Sequence, residues 1–187
     1  MLKKGCQMIG AALISSIVII VPGWLGSLAF MVLFLYGLWL LRREGRAFQA
    51  GAALGVLYIV LSRGYRVIRL INGWEGSNSI AYVLMVLLSC SLICVAWGVS
   101  TRVTGRWRYG LRALVVGYAL RIPLLAFLLR LMAVNIRVDS FWGQVLSLLP
   151  VGFSVFSILL SGAMGICLWW VMAEKTARTP ISPIVQP

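Results

Sequence analysis

The chain has 187 residues, of which 61% are apolar and only 11% are charged, and its formal net charge is +13. Ordinary soluble domains carry about 25% charged residues, so this composition excludes a water-soluble globular protein. The basic residues do not indicate a nucleic-acid partner, because they fall in short clusters between apolar runs long enough to span a bilayer. This pattern is typical of a polytopic membrane protein whose surroundings are the lipid bilayer.

The first apolar run extends from Gly5 to Leu41 and is too long for one membrane-spanning helix of roughly 17–25 residues. Pro22 and Gly23 interrupt it, because proline ends or kinks a helix and glycine permits a reversal. We predict two short spans at residues 5–21 and 24–41, joined as a tight hairpin. One kinked, tilted helix is the alternative.

Four more apolar runs predict spans at residues 47–62, 79–100, 113–134 and 145–172. The third span is followed by three arginines at the spacing of one helix face, with apolar residues between them: Arg63, Arg66 and Arg69. A short interfacial helix is therefore expected there. Residues 173–187 are predicted to form a short polar tail that contains prolines. The predicted fold is an all-α bundle of six transmembrane helices.

Basic residues also predict the orientation. With the N-terminus inside, eleven basic residues lie on the inner side of the six spans and five on the outer side, the asymmetry expected when both termini are cytoplasmic. All eight tryptophans fall near predicted span ends, as in an interfacial aromatic belt. The inner loop with Arg102, Arg106 and Arg108 serves as an orientation signal, or alternatively holds anionic headgroups or an acidic partner. A bacterial cytoplasmic (inner) membrane is the expected location.

Reactive side chains are scarce. The chain has no histidine, and its four acids lie at predicted membrane boundaries: Glu44, Glu75, Asp139 and Glu174. This removes histidine-based hydrolysis, common zinc sites and transport coupled through an intramembrane carboxylate. Cys90 and Cys94 share a helix face but have no third metal ligand nearby. We therefore predict no catalytic residue, no metal site and no cofactor; bound lipid is compatible with this composition.

The stretch "GYALRIPLLAFLLRL" places Arg121 about 13 Å along the fifth span from Arg112. An arginine at the centre of a bilayer costs roughly 2.5–3.5 kcal/mol on insertion scales. Pro123 leaves the carbonyl of Ala119 without its helical donor, and the sixth span offers hydroxyls at Ser154 and Ser161. Three hypotheses remain open: local satisfaction by such groups, an ion pair with a carboxylate of another subunit, and contact with an anion.

Small residues recur at four-residue spacing on two predicted spans. Gly51 and Gly55 form one pair, and the other stripe runs through Ser157 and Ser161 to Gly165. Such spacing favours close helix packing, within one protein or against a partner.

The resulting functional prediction is a non-catalytic polytopic subunit or scaffold of a larger membrane complex, with other membrane subunits as partners. The alternative is a small transporter or channel for an anionic or lipidic substrate, with Arg121 in the pathway.

Overall fold

The computed structural model describes residues 1–17, 23–72, 78–133 and 141–177, and within them the side chains of residues 1–17, 27–68, 71, 79–131 and 148–171. These residues contain no strand and form six α-helices: α1 (Leu2–Ile17), α2 (Gly23–Leu41), α3 (Arg46–Asn72), α4 (Asn78–Ser100), α5 (Arg106–Ala133) and α6 (Phe141–Ala177). One turn of 3₁₀-helix, Arg42–Glu44, follows α2. The all-α fold is confirmed.

Four of the helices contain segments long and apolar enough to cross a membrane. They are Arg46–Ile68, Ser79–Ser100, Arg106–Leu131 and Leu148–Val171. Large apolar side chains such as Val60, Leu120 and Leu159 are more than half exposed on these segments. A surface of this kind suits lipid and not water.

Each helix packs against its neighbours in the chain, and α6 packs against α1, so the helices follow one another around a closed ring. Neighbours are antiparallel, as short connections require. The amino group of Met1 lies 3.9 Å from the Glu44 carboxylate, which in turn binds Arg102. We call this side of the ring the Glu44 end; the opposite side, where Arg63 contacts Ser27, is the Arg63 end.

The first two helices form an antiparallel pair. A Cβ on Gly5 would lie 2.7 Å from Cγ of Leu41, and one on Gly37 would lie 2.6 Å from Ile9. Contacts between the start of α1 and the end of α2 require a reversal of the chain, so the alternative of one kinked helix is wrong. Residues 18–22, where Pro22 was expected to break the helix, lie outside the described residues.

The prediction of a separate interfacial helix after the third span is wrong. The chain continues through Arg63 and Arg66 as part of α3, without interruption to Asn72. Gly64 costs a helix interior about 1 kcal/mol relative to alanine, but no proline ends the helix here. The arginines therefore occupy the last turns of α3, where Arg63 reaches α2.

Close helix contacts occur at small residues. The Ser91 hydroxyl of α4 donates to the Gly51 carbonyl of α3 at 2.7 Å in a buried position. Gly55 faces Phe34 and Leu38 of α2. Both residues of the predicted Gly51–Gly55 pair thus lie at contacts within this chain.

The backbones of α1 and α6 approach each other closely at two glycines. A Cβ on Gly10 would lie 2.7 Å from the Gly165 carbonyl oxygen, and one on Gly165 would lie 3.1 Å from the Gly10 carbonyl oxygen. Small residues at these two positions let α6 close the ring against α1.

Candidate functional site

Arg121 lies near the middle of α5. It follows the first residue of this 28-residue helix by fifteen positions, about 22 Å along an axis of about 42 Å. Its side chain is only 6% exposed. Arg121 is too far from both helix ends to belong to the clusters of basic residues at the ends of the bundle. It belongs to the interior of the ring.

Aromatic and sulfur groups surround the Arg121 guanidinium. Its carbon lies 5.9 Å from the ring centre of Tyr118 and 6.0 Å from that of Phe153. Its Nη2 donates to the Met85 sulfur at 3.2 Å. These contacts join α5 to α4 and α6. They stabilise a cation through ring quadrupoles and a weak acceptor, but none of them carries a negative charge.

The polar needs of this region are incompletely met. Nε of Arg121 is buried with no hydrogen-bond partner, and so is Oγ of Ser157, one turn beyond Phe153 on the same face of α6. Among the side chains that the structure describes, the ion pairs are those of Glu44 with Arg102 and with the Met1 amino group. A buried charge without a counter-charge is costly. Nε of Arg121 is therefore a donor for which the described residues provide no acceptor.

The partners predicted for Arg121 from the sequence lie elsewhere. Ser154 is exposed and donates to the Pro150 carbonyl at 2.9 Å. It lies about 100° around α6 from Phe153, which takes it off the face that meets Arg121. The Ser161 hydroxyl accepts from Tyr118 at 3.3 Å. Pro123 is exposed within α5. The expected contacts of Arg121 with Ser154 and Ser161 are not formed.

A second charged feature lies between α2 and α3 at the Arg63 end. Nη2 of Arg63 donates to Oγ of Ser27 at 3.1 Å and to its carbonyl oxygen at 3.3 Å, and Nη1 of Arg66 donates to the same Oγ at 3.3 Å. These residues line an open groove whose empty volume, including its mouth, is about 280 Å³. We call it the Arg63 groove; its lining is Ser27, Phe30, Met31, Tyr58, Ile59, Ser62, Arg63 and Arg66.

Tyr58 lines this groove and is also close enough to the interior arginine to feel its charge. The charges of Arg66, Arg121 and Arg63 all act on its hydroxyl. One phenol on α3 is thus within electrostatic range of three guanidinium groups from two helices. The groove and the Arg121 region are neighbouring parts of one positively charged zone.

The other basic residues singled out in the sequence do not join this zone. Arg102 binds Glu44 at 2.6 Å and lies 5.2 Å from the ring centre of Phe48. Arg106 lies 5.7 Å from the ring centre of Trp107, and Arg108 is exposed. These three belong to the Glu44 end, while the side chain of Arg69 is outside the described residues.

Metal binding has no candidate within the described part of the chain, where no three histidine, cysteine, aspartate or glutamate residues are grouped. The cysteines described there are free: Cys6, Cys90, Cys94 and Cys167. The donor groups available around Arg121 are cationic or hydroxylic, and they suit an anion and not a cation.

Several residues of the site escaped the sequence analysis. Met85, Phe153 and Tyr58 lie in apolar runs where side chains of their type usually face lipid or the core. The sequence could have predicted Tyr118 as a neighbour of Arg121, because it precedes Arg121 by three positions and so shares its helix face. No sequence pattern could have predicted the role of Ser27, since its partners Arg63 and Arg66 lie 36 and 39 residues away.

Comparison with family models, curated proteins and solved structures finds no match to this chain.

Proposed function

We propose that this chain is an integral membrane protein of six spans that acts as a small transporter or channel for an anionic or lipidic substrate, with Arg121 as the charged contact. The observation that carries the proposal is the Arg121 guanidinium, buried inside the ring with Nε unpaired and no described carboxylate against it. A cation kept in low dielectric at this cost is expected to serve an anion that enters the bundle.

Six spans with cytoplasmic termini, in a bacterial inner membrane, form part of the proposal. Support comes from the antiparallel pairing of α1 with α2 and from the ring order of the helices. The start of α1 and the basic turns around Arg43 and Arg102 share the Glu44 end. The positive-inside rule then orients that end toward the cytoplasm.

An ion pair between Arg121 and a carboxylate of another subunit stays an alternative prediction. The guanidinium contacts Met85 of α4, Tyr118 of α5 and Phe153 of α6, all in its own chain, which supports a role inside the bundle over an ion pair at its outer surface. A non-catalytic subunit or scaffold stays a prediction from composition. Co-purification of other polypeptides in mild detergent tests it.

Anion flux into proteoliposomes tests the transport proposal. We expect Arg121→Gln to lower flux of the transported anion about tenfold or more, because it removes the charge-assisted contact. Chloride, inorganic phosphate and short-chain carboxylates are the first probes. Arg130→Gln is the matched control, since Arg130 is an exposed arginine on the same helix. Flux that is equal in wild type and Arg121→Gln contradicts the proposal.

A further inference from the structure

We propose that the Arg63 groove binds a phosphate group, presented by a lipid headgroup or free in water. This site lies at the membrane boundary and is distinct from the interior position of Arg121. It does not depend on the transport proposed above.

The geometry of the two arginines suits an oxyanion. Both guanidinium groups converge on one serine oxygen, with donor nitrogens 3.1 Å and 3.3 Å from it. Their other N–H groups donate to no residue that the structure describes. A guanidinium presents its donors in a planar fork that matches the oxygens of phosphate. Arg63 is half-buried and Arg66 exposed, so one fork is fixed and the other remains accessible.

The charge balance of the groove also favours an anion. Its polar lining consists of two cations and three hydroxyl groups, those of Ser27, Tyr58 and Ser62. Of the four acids in the chain, Glu44 alone has a side chain that the structure describes, and it lies at the opposite end of the bundle. Two guanidinium groups held against one neutral oxygen repel each other, and an anion between them removes that repulsion.

The position of the groove indicates which anion is available there. The candidate span of α3 runs over 23 residues, Arg46–Ile68, about 35 Å against a hydrocarbon core of about 30 Å. Arg63 and Arg66 occupy its last two turns. With the span centred on that core, the Cα of Arg66 lies at its edge and the Cα of Arg63 about 5 Å inside it, and long arginine side chains extend from such depths to the headgroups. Phe30, Met31 and Ile59 add an apolar wall beside them, which suits the first carbons of an acyl chain.

Lipid retention tests the proposal in two arms. In the first, the purified protein in phosphate-free maltoside micelles receives phosphatidic acid, or diacylglycerol with the same acyl chains. Native mass spectrometry then measures the lipid that remains bound. In the second arm, inorganic phosphate is titrated into the same micelles by calorimetry. Each arm uses wild type, Arg63→Gln, Arg121→Gln and, as the matched control, Arg130→Gln, an exposed arginine at the same end of the bundle.

We expect wild type to retain phosphatidic acid in preference to diacylglycerol. Arg63→Gln should retain about tenfold less phosphatidic acid than wild type. Arg130→Gln and Arg121→Gln should retain it, which separates this site from the transport site. Binding of inorganic phosphate with the same dependence on Arg63 also supports the phosphate site, with the free ion as ligand. Equal retention of both lipids without phosphate binding overturns the proposal, as does an equal loss in Arg130→Gln.

Arg63→Lys covers the case in which Arg63→Gln does not fold. It keeps the positive charge but replaces the planar fork with a compact ammonium group. A loss of phosphate binding of about threefold or more supports the proposal. Unchanged binding in Arg63→Lys overturns it.

Discussion

The guanidinium of Arg121 and the sulfur of Met85 lie 3.2 Å apart, which sets a full positive charge against a neutral, weak acceptor. Two aromatic rings complete the surroundings, at 5.9 Å and 6.0 Å. Such a site stabilises the cation enough to keep it in place without neutralising it. Burial of this unneutralised charge lowers the stability of the fold, and the proposed function follows from that feature.

Removing the Ser91 hydroxyl should destabilise the contact between α3 and α4. Ser91→Ala loses a buried hydrogen bond of 2.7 Å and leaves the Gly51 carbonyl with one acceptor site unfilled. We expect a loss of about 1 kcal/mol, seen as a fall in melting temperature of about 2–4 °C in detergent.

The matched control for that change is Ser154→Ala. Ser154 also donates to a carbonyl, but it is exposed and bonds to Pro150 of its own helix at 2.9 Å. A surface change of this kind is expected to stay within about 0.5 kcal/mol. Equal falls in melting temperature for the two variants would show that the α3–α4 hydrogen bond contributes nothing.

Gly10 should not tolerate a side chain. Gly10→Ala would place its Cβ 2.7 Å from the Gly165 carbonyl oxygen, a backbone atom that cannot move without shifting α6. We expect destabilisation of about 1–3 kcal/mol, measured as thermal unfolding.

Gly152→Ala is the corresponding control. Nothing lies within 4 Å of the position its Cβ would take, and it lies inside α6. Alanine favours a helix interior over glycine by about 0.5–1 kcal/mol, so the melting temperature should rise or stay constant. A Gly10→Ala variant as stable as Gly152→Ala would be incompatible with the close approach of α1 and α6.

Membrane topology is testable with single cysteines in a variant whose four native cysteines are replaced by alanine. An impermeant maleimide should label Glu75→Cys from the outside and Thr104→Cys only from the cytoplasmic side. Thr104 is exposed and avoids Gly105, whose φ of 75° strains any other residue. The reverse labelling pattern would invert the proposed orientation.

The helices were predictable because lipid leaves few choices. A buried backbone must satisfy its own hydrogen bonds, so each apolar run of spanning length becomes a helix. The span predicted at 79–100 differs from α4, Asn78–Ser100, by one residue. The end of α3 was misjudged because three arginines in an apolar stretch also match an interfacial helix, whereas the structure continues α3 without interruption to Asn72.

The site was predictable only at its charged centre. Arg121 stands out because its position in an apolar run is costly, whereas Met85, Phe153 and Tyr58 differ in no way from ordinary apolar-run residues. Their approach depends on the rotation of each helix about its axis. Packing against neighbours sets that rotation, and the seven-residue repeat places Ser154 and Ser161 on nearly the same face of α6. That face lies about 80–100° around the helix from Phe153, and both serines have hydrogen-bond partners other than Arg121.

Thermal unfolding of Arg121→Met is the most direct test of Arg121 as an uncompensated interior cation kept for an anion. Methionine has similar length and carries no charge, so without ligand we expect it to raise stability by about 1–2 kcal/mol over wild type. Addition of the transported anion should then stabilise wild type and leave Arg121→Met unchanged. A variant that melts below wild type, or gains as much from the anion, would show that Arg121 is a structural residue with its charge already satisfied.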